Sequence, residues 1–269
     1  MSVAGVAVLS DDGVLAAARH ITALFSGSRL LRPFDLPAEL ASRAGVFREQ
    51  PVELSARAWT GLDVAFARIV TISGPGLAIV NVLGLPAWRR AAPDHWDAPT
   101  ILGVDLVAVA GAPVVVVADL SPVRPGARPA AVDGSNSAGG RLASIRRSRG
   151  PFPPGGPLPA WCARWFSPHH LFTRLPPTAV GAASAAAVDF ARVWMETAVR
   201  ARVDRADRPN AHSGSGRFSP EVAAYCADHR AADAGLRLMD RLFGVEWAEA
   251  FKRTVLFPED PSTRVGDVP

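Results

Sequence analysis

Lysine and tyrosine are nearly missing from this 269-residue chain: Lys252 is its one lysine and Tyr225 its one tyrosine. The net charge of +4 and the pI near 10.0 therefore rest on arginine. Scarce lysine beside abundant Arg, Ala, Gly and Pro reads either as the mark of a GC-rich genome or as a basic face that steers an acidic partner. Nucleic acid suits that partner poorly, because the arginines are scattered, basic and aromatic residues do not interleave, and no DNA-binding motif is present. Cysteine is scarce too. Cys162 and Cys226 cannot build a disulfide scaffold, and no CxxC or clustered Cys/His spacing suggests zinc or an iron–sulfur cluster. Long apolar runs are missing, since APVVVVADL stops well short of the roughly 20 residues of a membrane span. Asp11 and Asp12 near the start, without a basic flank, do not fit a signal peptide. The expected compartment is the cytoplasm.

The composition, 49% hydrophobic and 20% charged, is that of a globular chain long enough to bury a core as a single domain. No internal repeat is visible. Residues 10–26 space their apolar positions as a helix does, with a capping start at Ser10 and Asp11. Residues 51–122 carry strand signals. VELSARAWT alternates, AFARIVTIS and GLAIVNVLGLP are β-branched runs split by Gly-Pro-Gly at 74–76, and ILGVDLVAVA and APVVVVADL flank a turn at 111–113. Such short connections give antiparallel neighbours, not βαβ crossovers. Residues 123–158, rich in Pro, Gly, Ser and Arg, read as a surface loop insertion. Its GSNSAGG stretch lacks the GK[ST] ending of a phosphate-binding loop. From residue 181 the pattern is helical, with a Ser219-Pro220-Glu221 start signal and a natural stop at Gly244. Helices before and after an antiparallel meander imply an α/β class protein, a three-layer α/β/α sandwich with a central antiparallel sheet.

The informative residue is Asp105, in the middle of an apolar strand. A carboxylate there is costly to bury unless it is bonded, paired or protonated, so it reads either as a functional acid or as a residue on a solvent face. Asp119, ahead of Leu-Ser-Pro, reads as a turn cap at a strand end.

Several segments in order carry a resemblance. GLAIVNVLGLP, PTILGVDLVAV and APVVVVADLSP are followed by PAWCARWFSPHHLFTR and YCADHRAADAGLRLMDRLFGVEWAEAFKRTVLFP. From about Leu30 to Pro258 the chain resembles the ferredoxin-dependent bilin reductases, the phycocyanobilin, phycoerythrobilin and phytochromobilin synthases. The resemblance implies a linear tetrapyrrole, biliverdin IXα, held between the sheet and the C-terminal helices. It implies no bound flavin, metal or nicotinamide: a [2Fe-2S] ferredoxin delivers single electrons and pocket side chains deliver protons, through bilin radicals. Heme oxygenase is the implied substrate supplier, and a monomer is expected.

By motif position, Asp105 matches the central proton-donating aspartate, and a carboxyl group in a low-dielectric pocket holds its proton nearer neutral pH. Asn81 matches the position where phycocyanobilin synthase has histidine and the phycoerythrobilin- and phytochromobilin-type enzymes have asparagine. An amide can position substrate but cannot supply a titrating proton. Asp233 matches a second donor, or is an exposed helix charge near Arg230 and Arg237. ARIVTIS lacks the glutamate that phycocyanobilin synthase carries on the preceding strand. These departures favour reduction at the C15 methine bridge to 15,16-dihydrobiliverdin, with Asp233 leaving onward reduction to phycoerythrobilin open. Arg174 matches an arginine that grips a bilin propionate, and Arg68 and Arg237 are further candidates for that duty. His169 and His170 depart from the family segment: either one lines the pocket in place of the missing histidine, or both are loop residues. The arginines of 141–149 read as a docking patch for acidic ferredoxin or as a solvated basic loop. Phycocyanobilin-type reduction, reduction of another linear tetrapyrrole and non-catalytic bilin binding are the alternatives.

Overall fold

The computed structural model describes residues 12–87, 100–123, 137–206, 218–232 and 235–259. The first half holds α1 (Asp12–Ser26), β1 (Leu31–Phe34), α2 (Ala38–Ala41), β2 (Ser42–Phe47), β3 (Gln50–Gly61) and β4 (Val64–Gly74). β5 (Leu77–Pro86), β6 (Thr100–Val109) and β7 (Val114–Pro122) continue the sheet. Then come α3 (Ala138–Arg149), α4 (Ala160–Ala163), β8 (Leu171–Leu175) and α5 (Val180–Ala206). The chain ends on α6 (Pro220–Ala232), α7 (Leu236–Phe243), α8 (Val245–Phe251) and a π-helical turn over Lys252–Leu256.

The strands form an eight-stranded sheet in the order β1-β3-β4-β5-β6-β7-β8, with β2 also on β3. Every pairing is antiparallel. The tight turns that force this order use glycine where the backbone enters the left-handed region, Gly76 at φ 76° and Gly111 at φ 79°.

Strand alternation divides the core in two. Leu102, Val104, Leu106 and Ala108 of β6 join Val116, Ala118 and Leu120 of β7 against Ile21 and Phe25 of α1 and Phe190 and Trp194 of α5. Packing there is close enough that a Cβ on Gly84 would lie 2.6 Å from the Trp194 ring. The other face takes Leu54, Ile72, Leu83 and Leu85 from β3–β5 and packs them on Tyr225, Met239, Phe243, Phe251 and Val255 of the C-terminal helices. The fold is thus the expected α/β/α sandwich with α1, α3 and α5 in one outer layer and α6, α7 and α8 in the other.

Three local expectations change. The segment read as a loop over 123–158 contains α3. Ser137 caps it by accepting the Gly140 N–H at 3.1 Å, and Arg149 ties it to Asp189 of α5 at 2.9 Å. With Leu142 as its one buried residue, α3 has little of the apolar periodicity that marks a helix in a sequence. The helical stretch from Pro220 to Gly244 is two helices; it starts where expected, with Ser219 accepting the Val222 N–H, and stops at Gly244 with φ 88°. Asp119 is no turn cap but an interior residue of β7, only 1% exposed.

Candidate active site

On β4 and β5 the residues of both faces are buried over most of their length, whereas the two faces of β6 differ and β7 is half-buried at Val115 and Val117. Gly103, Asp105, Val107 and Val109 of β6 and Val115 and Val117 of β7 face the C-terminal helices yet are half-buried. The sheet is therefore open at β6–β8 on that side. One cross-strand row runs Val70, Asn81, Asp105, Val117, Phe172 across it.

Asn81 and Asp105 are register partners in this row, and the Asn81 amide Nδ2 donates to Asp105 Oδ1 at 3.2 Å. Strand parity alone brings them together: each is the polar exception in a β-branched strand, and antiparallel pairing sets them side by side on one face. Asp105 is thus half-exposed and bonded, not sealed in the core as its apolar strand suggests. On β4 the residues of this face nearest Asn81 are Arg68, Val70 and Ile72, none of them acidic.

Aromatic groups stand above the row. Tyr225 of α6 lies over Gly103, where an added Cβ would be 3.8 Å from its hydroxyl. Tyr225 stacks on His229 at 3.9 Å, and Trp161 and Phe257 close a cage around that imidazole. His229 Nδ1 meets the Tyr225 carbonyl at 2.8 Å, so it carries the proton, and burial pushes the imidazole down to about 4. Cys226 beside it is a buried thiol pushed up to about 12, which leaves it unreactive.

The candidate arginines separate. Arg174 is exposed on β8, one register step of the same face from Phe172, whose ring lies 5.5 Å below its guanidinium. Arg68 does not reach the open face: it is 1% exposed, and Nη1 donates to the Asn81 carbonyl at 2.8 Å. Its Nε and Nη2 donate to the Val255 and Leu256 carbonyls, so it staples the C-terminal turn to β5. Arg237 is exposed on α7, which is seated through Leu242 and Phe243 against Gly45 of β2, near the other edge of the sheet. Asp233 lies outside the described residues.

The histidine pair splits between layers. A Cβ on Gly139 of α3 would lie 2.8 Å from His169 Nε2, so His169 packs toward α3. His170 stays beside Asp119, with its Nδ1 2.7 Å from the Ser167 carbonyl. Asp119, Ser167, Tyr225 and His229 also belong to this region, and sequence motifs did not single them out as parts of it. The available signal was parity, since Asp119 and Ser121 share the face of Val115 and Val117.

The family model for ferredoxin-dependent bilin reductase matches residues 18–258. The chain belongs to the ferredoxin-dependent bilin reductases. It is 28% identical over 234 residues to phycocyanobilin:ferredoxin oxidoreductase from Gloeobacter violaceus, covering 84% of this chain and 82% of that protein. Phytochromobilin synthase from tomato, solved in complex with biliverdin, shares its fold with a TM-score of 0.64 at 17% identity, over 94% of this chain and 85% of that one. This bilin reductase is accordingly an oxidoreductase of the α/β class. Among its described residues no group of three or more His, Cys, Asp or Glu is placed to hold a metal ion, and no helix is long and apolar enough to cross a membrane.

Proposed function

We propose that this bilin reductase binds biliverdin IXα on the open face of β5–β8 and reduces it at the C15 methine bridge to 15,16-dihydrobiliverdin. The observation that carries the reading is the Asn81–Asp105 pair, half-exposed on that face with no acid on β4 beside it. Two reduced ferredoxins supply one electron each and two protons are added, one to each carbon of the reduced double bond. Asp105 is the proton donor: it gives its proton to the bilin and regains one from solvent. Asn81 orients Asp105 through its amide and leaves its own carbonyl oxygen to substrate. Arg174, exposed beside the row, pairs with a propionate through its guanidinium fork. Asp233 serves any onward reduction to phycoerythrobilin.

The 28% identity to a phycocyanobilin:ferredoxin oxidoreductase favours a second reading, in which phycocyanobilin is the product. Asn81 and the acid-free β4 face argue against it. Anaerobic turnover of biliverdin with reduced ferredoxin, followed by absorbance and product chromatography, separates the two. Accumulation of 15,16-dihydrobiliverdin supports the first reading, and phycocyanobilin overturns it. A coloured complex that electrons leave unchanged identifies a bilin-binding protein.

A further inference from the structure

Asp119 receives three hydrogen bonds and has no acceptor beside it in this cluster. Ser121 Oγ donates to Oδ2 at 2.8 Å, the Ser167 N–H to Oδ2 at 2.9 Å, and Ser167 Oγ to Oδ1 at 2.5 Å. Burial lifts the carboxyl above its ordinary range while these donors and His170 oppose that lift. Such a group is costly to bury unless donors such as these offset the cost, and through them it also fixes a second element. What it fixes is the turn before β8. Ser167 Oγ accepts the His169 N–H at 3.2 Å, and the Ser167 carbonyl accepts the His170 N–H at 3.3 Å.

That same carbonyl lies 2.7 Å from His170 Nδ1. A carbonyl only accepts, so Nδ1 carries the proton and Nε2 is the nitrogen free to exchange one. His170 immediately precedes Leu171, the β8 residue paired with Ala118, so continuing that register by one residue sets it opposite Asp119, whose row contains Gly103. Sheet spacing then puts it roughly 12 Å from Asp105 along the open face, within the span of one extended tetrapyrrole.

We infer that Asp119 is a positioning residue for the reaction, setting through Ser167 the turn that aims His170 Nε2 onto the open face. This restores an imidazole to a site whose strand position holds Asn81, and it rests on that face being where the bilin lies. Asn in place of Asp119 turns one acceptor into a donor facing existing donors, which loosens the turn without a change of size.

The test is a double-mutant cycle on ferredoxin-driven biliverdin reduction with Asp119→Asn and His170→Gln, joined to 15N NMR of the His170 ring. Each single variant is expected to lower kcat/KM about tenfold, and the pair also by about tenfold, because both remove one contribution. Independent losses, roughly a hundredfold together, overturn the inference, as does a His170→Gln enzyme of unchanged rate. The 15N spectrum needs no turnover, so it separates failure of this inference from failure of the proposed reaction. The Nδ1-protonated signature is expected in the parent chain and a mixed tautomer in Asp119→Asn; an unchanged signature contradicts the positioning role. If Asp119→Asn fails to fold, Ser167→Ala takes its place in the cycle, since it keeps the carbonyl but removes the Oγ bond to Asp119. The expected and contradicting results are then the same.

Discussion

The two faces of β6 are made by alternate residues of one strand, yet they serve different ends. Leu102, Val104, Leu106 and Ala108 are buried against α1 and α5, a dry layer in which shape decides. Gly103, Asp105, Val107 and Val109 point the other way, are half-buried, and include the one carboxylate of the strand. β4 and β5 show no such contrast over most of their length, because the C-terminal helices cover their second face. Where the helices stop short, the strand keeps its apolar composition but gains a polar pair. An apolar strand with one acid need not bury that acid; it can present it on an apolar shelf.

Substitutions on the two faces should therefore separate activity from stability. The largest effect is expected for Asp105→Asn, about 10²–10⁴-fold in ferredoxin-driven turnover, the range general acid catalysis contributes. Its melting temperature should stay close to that of the parent, as suits a half-exposed group. A large loss of stability instead would mean that the acid is structural. Next is Leu106→Ala on the dry face, expected to cost about 2–5 kcal/mol in denaturant unfolding, since Leu106 is fully buried. A cost near zero there would erase the distinction between the faces.

The aromatic cage gives a pH-dependent effect of similar size. The folded imidazole of His229 is held down to about 4, below its unfolded value, so the unfolded chain binds the proton more readily. Stability contributed this way is present above about pH 6.5 and is lost as pH falls toward 4, by roughly 3 kcal/mol in all. Denaturant midpoints measured across that window should fall in the parent chain and fall less in His229→Gln. The smallest effect is expected for Val107→Ala, under about 1 kcal/mol, because its side chain is already half in contact with water.

Much of this was legible in the sequence. The hairpins β3–β4, β4–β5 and β6–β7 follow from β-branched runs separated by turns too short for crossovers, and glycine marks the turns that need it. Asp105 stood out because a carboxylate in an apolar strand demands an explanation. The pairing of Asn81 with Asp105 was not legible, since register depends on where each turn begins and a slip of one residue reverses the face. Asp119 resembles a turn cap because Leu-Ser-Pro follows it, whereas β7 continues through it to Pro122. Arg68 looks like any arginine on a strand, and only the return of the chain at Val255 and Leu256 gives its guanidinium three backbone carbonyls. α3 was hidden by a polar, glycine-rich sequence that a single cap and two cross-helix ion pairs hold in place.

The most direct test of Asp105 as proton donor pairs two measurements on one preparation of Asp105→Asn: biliverdin affinity, and the rate of its reduction by anaerobically reduced ferredoxin. Affinity is predicted to stay within a few-fold of the parent chain while the rate falls at least about a hundredfold. Reduction at the parental rate would contradict the assignment.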